Sequence, residues 1–461
     1  MEYQIISLLI PLLTIILAII TKDVVVSLTG GIFVGFLVLN NYHVGDAFVA
    51  FLDGIIGIFS EGWMAKTILF VMLVGSIVAI LQKSGAIDEF VSYLSQKASS
   101  IDSPTGAMML AYIIGLVIFI ESSITVLVAG VASRPLCDKH HVSREKLAYI
   151  CDSTSAPICS LLPLNGWGAL FLGLITAAIA SGVIVGDPLE LLLHSLVFNF
   201  YAIIAVVLVL GLISGKLLIG PMAHTKWSPD NSYNPSKDIP NPSLWGMVIP
   251  LVFLIFAVFG ALYITGEGDI LKGSGSTSVY YAVVLTLLLC YILFVPRKRI
   301  THKEYFVAFY EGLGTMLPLG LVMILAFLIG KVVGDLGTAQ YLGGLIKGNL
   351  PLFIVPLLVF WLASLTAFST GTSWGTFSVM MPIALALGGS MEISIPLMIG
   401  AVISGGIFGD HASPISDTTI ISSMAAGCEP IDHVRTQLPY AILAALLASV
   451  LFVVAGFLLA P

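Results

Sequence analysis

Charge is what this chain has least of. Asp, Glu, Lys and Arg make up 10% of its 461 residues, against about 25% in soluble domains. The 19 basic residues against 26 acidic ones give a net charge of -7, which excludes an electrostatic nucleic-acid binder. Cysteine is also scarce. Cys137, Cys151, Cys159, Cys290 and Cys428 are scattered, with no CxxC. That excludes a disulfide framework and a zinc site, and they read as free thiols in helices. His140 and His141 beside Cys137 and Asp138 are read as loop polarity, not a metal centre. No HExxH, GxSxG, P-loop or GxGxxG is present, and no nucleophile has a recognisable base, so an enzyme is not expected. A sizeable hydrophilic domain is missing too. The longest polar connection, 220–243, carries five prolines. The N-terminus, Met1-Glu2-Tyr3-Gln4, lacks a basic n-region, so the first apolar segment is expected to be a retained helix.

What fills the chain is apolar. Hydrophobic residues make up 58% and mean hydropathy is +1.05. No soluble fold of this length buries so much apolar surface, so lipid must cover part of it. A multi-pass, all-α membrane protein is expected. Apolar segments lie at about 5–20, 24–39, 66–82, 105–133, 147–182 and 190–219, and again at about 245–266, 279–295, 314–334, 350–381, 396–426 and 437–460.

The two sets resemble each other. Phe48-Val49-Ala50-Phe51-Leu52-Asp53-Gly54-Ile55 matches Phe306-Val307-Ala308-Phe309-Tyr310-Glu311-Gly312-Leu313. Ser155-Ala156-Pro157-Ile158 matches Ala412-Ser413-Pro414-Ile415, and Glu121-Ser122-Ser123 pairs more weakly with Ser369-Thr370-Gly371-Thr372-Ser373. Three matches in order predict a repeat: 1–219, a cytoplasmic connection over 220–244, and 245–461. Arg134, Lys139, Arg144 and Lys146 mark a cytoplasmic loop in the first half, whereas the corresponding 382–395 has no Lys or Arg. Arg297, Lys298, Arg299 and Lys303 mark the opposite case. The repeats are therefore expected to be inverted.

An inverted repeat needs an odd number of crossings per half. Segments 105–133 and 350–381 are too long for one span and too short for two, and each is polar at its middle. They are expected to be re-entrant hairpins, leaving about five crossings per half and both termini outside. Segment five of each half is expected to be broken: at Asp152–Pro157 and Pro163–Gly166 in the first, and at Gly409–Thr419 in the second. Proline removes a backbone donor and frees carbonyls, which is tolerated at membrane depth only inside protein or beside water.

The stretch Gly409-Asp410-His411-Ala412-Ser413-Pro414-Ile415-Ser416-Asp417-Thr418-Thr419 puts two carboxylates, an imidazole and four hydroxyls where packed apolar helix is the default. A carboxylate at the bilayer centre costs roughly 2.5–3.5 kcal/mol or more. Asp410 and Asp417 are the expected sodium ligands, with Ser413, Ser416 and Thr418 as oxygen donors and His411 as a proton shuttle or a partner of Asp410. Asp417 is also a candidate helix cap. Glu121 with Ser123 reads as a ligand or proton carrier, or else a structural hydrogen bond. Asp152 with Thr154 is the pseudo-symmetric carboxylate, or else a cap at the cytoplasmic end. Thr370, Thr372 and Ser373 form the second polar tip. Asn165 beside Trp167, and Thr372 beside Trp374, are candidates for the substrate path. His194, Lys331 and Asp335 are read as snorkelling near helix ends. Asp53, Glu61 and Glu311 are read as lying on short interfacial stretches. Gly30, Gly31 and Gly35 suit helix contacts within or between subunits, so a homodimer stays open.

Phe368-Ser369-Thr370-Gly371-Thr372-Ser373-Trp374-Gly375-Thr376-Phe377 resembles a signature of the NhaC family of sodium/proton antiporters. So do the stretch from Gly409 to Thr419 and His433-Val434-Arg435-Thr436-Gln437-Leu438-Pro439-Tyr440 after it. The resemblance implies a carrier of the cell (inner) membrane that couples sodium to protons or to a small solute such as malate, lactate or an amino acid. It implies no cofactor beyond the transported sodium. A channel is the remaining alternative; it would need a continuous polar pore, whereas the polar groups here gather at breaks and tips.

Overall fold

Alternating runs of apolar residue and short Pro/Gly-marked connection fold into helices throughout the described residues. The computed structural model describes residues 4–98, 103–119, 121–227, 239, 241–270, 273–338, 341 and 351–459. In the first half, α1 is Gln4–Thr21, α2 Val24–Leu39, α3 Val44–Ser60, α4 Gly62–Lys83, α5 Ala86–Ala98 and α6 Pro104–Val117. They are followed by α7 Ser122–Lys139, α8 Arg144–Leu161, α9 Gly166–Ala180, α10 Pro188–Ser195 and α11 Phe200–Ile213. In the second, α12 is Trp245–Thr265, α13 Gly275–Phe294 and α14 His302–Asp335. The rest are α15 Val355–Thr370, α16 Ser373–Met391, α17 Ile395–Ala412, α18 Asp417–Ala426 and α19 Pro430–Leu458.

Eight helices, among the described residues, are long and apolar enough to cross a membrane. Two bent pairs, α8 with α9 at 41° and Pro188–Phe198 with α11 at 44°, bring the number to ten. Large apolar side chains on α12 and α19, such as Phe256, Ile264, Val450 and Phe457, face outward. Lipid is the only solvent that accepts them at that density. The helices gather into two groups. In one, α4, α13 and α14 pack together with α2 and α12. In the other, α6, α7, α8 and α11 pack with α15 to α19. Helix α9, together with α14 against α16, joins the groups.

The segment centred on Glu121 folds as α6 and α7, which lie against each other, α6 ending before Ile118 and α7 starting after Glu121. The second segment departs from its expected length. α15 with its leading turn and α16 are each 19 residues, long enough to cross individually. The reason is Pro382, expected to end the segment but lying inside α16, where packing against α17 and α14 offsets the lost hydrogen bond. Breaks in segment five are narrower than expected. α8 runs unbroken through Asp152–Pro157, because it is buried on all sides by α6, α7, α11 and α18, and that packing offsets the hydrogen bond lost at Pro157. The chain unwinds only at Leu162–Asn165. In the second half Gly409–Ala412 is helical and only Ser413–Ser416 is unwound.

Glu311 does not lie on a short interfacial stretch. α14 runs 34 residues without a stop, started by a capping box between Thr301 and Glu304. Glu304 lies in the exposed first turn, before the apolar part of α14. The Thr301 backbone N–H, and then its hydroxyl, hold the Glu304 carboxyl below its usual range. A depressed pKa means the cap is at full strength above the ordinary glutamate range and is lost as pH falls through the folded value. Amide exchange at residues 302–306 should therefore accelerate in mild acid, and Glu304→Gln should abolish that dependence.

Arg134 and Arg144, counted as orienting loop charges, are buried. Arg144 donates to the Ala426 carbonyl at 3.2 Å and pairs with Asp138 at 3.0 Å, clamping the end of α18. His194 and Lys331 are exposed, as expected of residues near helix ends. Gly31 and Gly35 meet Thr14 and Val332 of the same chain.

Candidate functional site

The site is built around α17, the most buried span, whose apolar window is 89% enclosed by protein. Gly405 and Gly409 lie one turn apart on its face toward α15. A Cβ on Gly409 would stand 2.6 Å from both the Ala367 Cβ and the Phe368 nitrogen. Only glycine lets the two backbones approach this closely. The approach sets the end of α15 beside Asp410, and Ser413 fixes it by donating to the Phe368 carbonyl at 2.8 Å.

Asp410 is 1% exposed. Its Oδ2 accepts from Ser373 Oγ at 2.7 Å and its Oδ1 from Ser416 Oγ at 2.6 Å. Thr418 Oγ1 lies 3.5 Å from Oδ2 and 3.1 Å from Ser416 Oγ. One carboxylate and three hydroxyls thus converge from the start of α16, the break after α17 and the start of α18. Among the described residues no Lys, Arg or His forms an ion pair with Asp410. An ionised carboxylate left so costs several kcal/mol.

Asp417 does not cap α18; Ser416 does, accepting from the Thr419 N–H. The cap position needs extended backbone, which Ser416 has and Asp417, already helical, does not. Asp417 instead turns outward and lines a cavity of about 370 Å³ with Glu121, Ser123, Thr372 and Trp374. Its opposite wall is made by α2, α4 and α14, so the cavity lies between the two helix groups. Glu121 caps α7 by accepting from the Ile124 N–H at 2.9 Å while also facing this cavity.

The other candidates fall elsewhere. Thr154 spends its hydroxyl on the Ile150 carbonyl, and Thr370 on that of Thr366. Asn165 is a tie between breaks: Nδ2 donates to the Phe119 and Cys159 carbonyls at 2.7 and 2.8 Å, and Oδ1 accepts from the Trp167 and Gly168 N–H groups. Asn165→Ala should cost at least about 2 kcal/mol, because buried polar groups are stranded, and a lowered thermal midpoint in detergent would show it. Trp167 is buried, its ring 5.4 Å from that of Trp374. His411 does not bond the Asp410 side chain; its Nδ1 meets Tyr201 OH at 3.1 Å. Asp152 is fully buried at the middle of α8, not at a helix end. Its partners are His433 and Gln437 of α19. Both escaped sequence reasoning as site residues, although a His and a Gln four apart on an apolar helix was the available signal.

This is a multi-pass helical membrane protein with polar groups at helix breaks around a cavity between two helix groups, and its family and relatives are antiporters, which makes it a secondary transporter and not an enzyme. The chain belongs to the Na+/H+ antiporter family, whose sequence profile matches residues 158–457. A protein of Haemophilus influenzae described as uncharacterized is 34% identical over 97% of this chain and 90% of its own length. The malate-2H+/Na+-lactate antiporter of Bacillus subtilis is 28% identical over 48% of this chain and 45% of that one. Among solved structures, the YdaH transporter of Alcanivorax borkumensis has a TM-score of 0.61 at 17% identity, covering 90% of each chain. That likeness is one of fold.

Proposed function

We propose that this chain exchanges sodium for protons at Asp410. The observation that carries the reading is the company Asp410 keeps: hydroxyl oxygens and no cationic side chain among the described residues. A buried carboxylate in that setting holds either a proton or a small hard cation, and the two exclude each other. Exclusion at one group is the physical basis of obligatory exchange. Ser373, Ser416 and Thr418 supply further oxygens for sodium. Asp417 and Glu121, on the cavity, concentrate cations at its mouth. Movement of the α15–α19 group against α2, α4 and α14 would alternate access, as inverted repeats allow. Residues 1–219 and 245–461 are the two repeats in this reading, and the basic loops face the cytoplasm.

The test is direct binding. Radioactive sodium should bind the purified protein and be displaced as pH falls, with a Hill slope near one proton per sodium. Sodium binding indifferent to pH would contradict the proposal.

The cavity favours a second reading. About 370 Å³ is room for a small organic molecule, far more than a bare ion needs. Coupled movement of malate, lactate or an amino acid would show as sodium uptake that requires the solute.

A further inference from the structure

Asp152 is buried as completely as Asp410 but lives in different company. Its Oδ2 accepts from Gln437 Nε2 at 2.7 Å and lies 3.3 Å from His433 Nε2. The same His433 nitrogen is 3.0 Å from Ser422 Oγ on α18. Asp152 Oδ1, His433 Nδ1 and Gln437 Oε1 are buried with no partner, and so is the nearby Thr419 Oγ1. Buried polar atoms are nearly always paired. Four unpaired in one neighbourhood mark a place that water or a mobile proton completes.

The cluster has two neighbours. Toward the cation carboxylate, Gln437 Nε2 also donates to the backbone carbonyl of His411 at 2.9 Å, the residue after Asp410. In the other direction, Thr436 Oγ1 donates to the His433 carbonyl at 2.9 Å, and Thr436 lines a cavity of about 750 Å³. Glu145, His224, Asp432 and Arg435 share that cavity. His433 thus sits on the turn of α19 next to a residue of that charged cavity wall, with Asp152 on its other side.

We propose that Asp152 and His433 form a proton-carrying site distinct from the cation carboxylate Asp410, with Gln437 linking the two. This rests on the exchange reading above. A proton from cavity water adds to His433 Nδ1, and the Nε2 proton passes to Asp152 Oδ2. The imidazole ends neutral and the carboxyl protonated; release runs the same steps backward. The titratable groups facing Asp152 are His433 on α19, His411 on α17 and Tyr201 on α11. Tyr149 of α8 stacks on Tyr440 of α19 nearby, ring centroids 4.7 Å apart. Cys151 of α8 and, beside it, Cys137 of α7 lie close by, and Asp410 and Asp417 are the next carboxylates. Arg134 and Arg144 stay at the clamp around Asp138 and Gly427.

The experiment measures protons and sodium moved in the same proteoliposomes, using a trapped pH dye and radioactive sodium. Wild-type protein that moves no protons with sodium defeats the exchange reading itself and is recognised before any variant is compared. In Asp152→Asn and His433→Gln, the ratio of protons to sodium moved should fall by about half, because Asp410 still exchanges one proton for each sodium while the second proton is lost. An unchanged ratio, at whatever rate, or loss of both fluxes together in protein that stays monodisperse, overturns the proposal. If Asp152→Asn is not monodisperse, the ratio in His433→Gln decides by the same criteria.

Discussion

Asp410→Asn should abolish sodium-driven proton movement while leaving the protein folded in the membrane. The amide keeps the shape and can still meet the Ser373 and Ser416 hydroxyls, but it carries no charge and takes no proton. Removing the one anion that faces a desolvated cation costs about 3 kcal/mol or more, which is roughly 100-fold in binding. Stability should move the other way or not at all, because the variant no longer buries an ionisable group among hydroxyls. The two readouts together are diagnostic. Lost transport with an unchanged or raised thermal midpoint identifies a functional carboxylate. Lost transport with lowered stability would make Asp410 a structural group. Ser416→Ala should weaken sodium binding less, by about tenfold, since one neutral oxygen is removed and Ser373 remains.

Gly409→Val should be as damaging by another route. A Cβ there would meet the Ala367 Cβ and the Phe368 nitrogen at 2.6 Å, and the Ser364 carbonyl closer still. Backbone cannot step aside as a flexible side chain can. α15 must move away from α17, carrying Phe368 from Ser413 and shifting Ser373 relative to Asp410. Overpacking costs typically about 1–3 kcal/mol, and here it falls on a backbone crossing. The expected result is loss of both transport and thermal stability, read by assay and by melting in detergent. Gly409→Ala should be milder in degree and the same in kind. Wild-type behaviour in both would show that the crossing tolerates separation and does not position the site.

Much of this was legible in the sequence because membrane folding writes itself in composition. Apolar runs had to be helices, and charge was rare enough that each exception stood out. The stretch from Gly409 to Thr419 was visible for that reason, and the structure places Asp410, Ser416 and Thr418 together. Ser373, distant in sequence, joined them because the family-like stretch around it ends the same polar tip. What stayed hidden depended on local hydrogen bonds. Pro157 and Pro382 signalled breaks, yet packing around α8 and α16 kept both helices whole. Whether Ser416 or Asp417 caps α18 turned on one backbone conformation. Asp152 looked like a partner for a cation, but α19 reaches it first with His433 and Gln437, a contact between residues 281 and 285 positions apart.

The most direct test of sodium/proton exchange uses wild-type protein in proteoliposomes with a trapped pH dye. With an outward proton gradient imposed, sodium added outside should dissipate it, and potassium should not. No sodium-specific pH change, with or without malate, lactate or an amino acid present, would contradict exchange at Asp410.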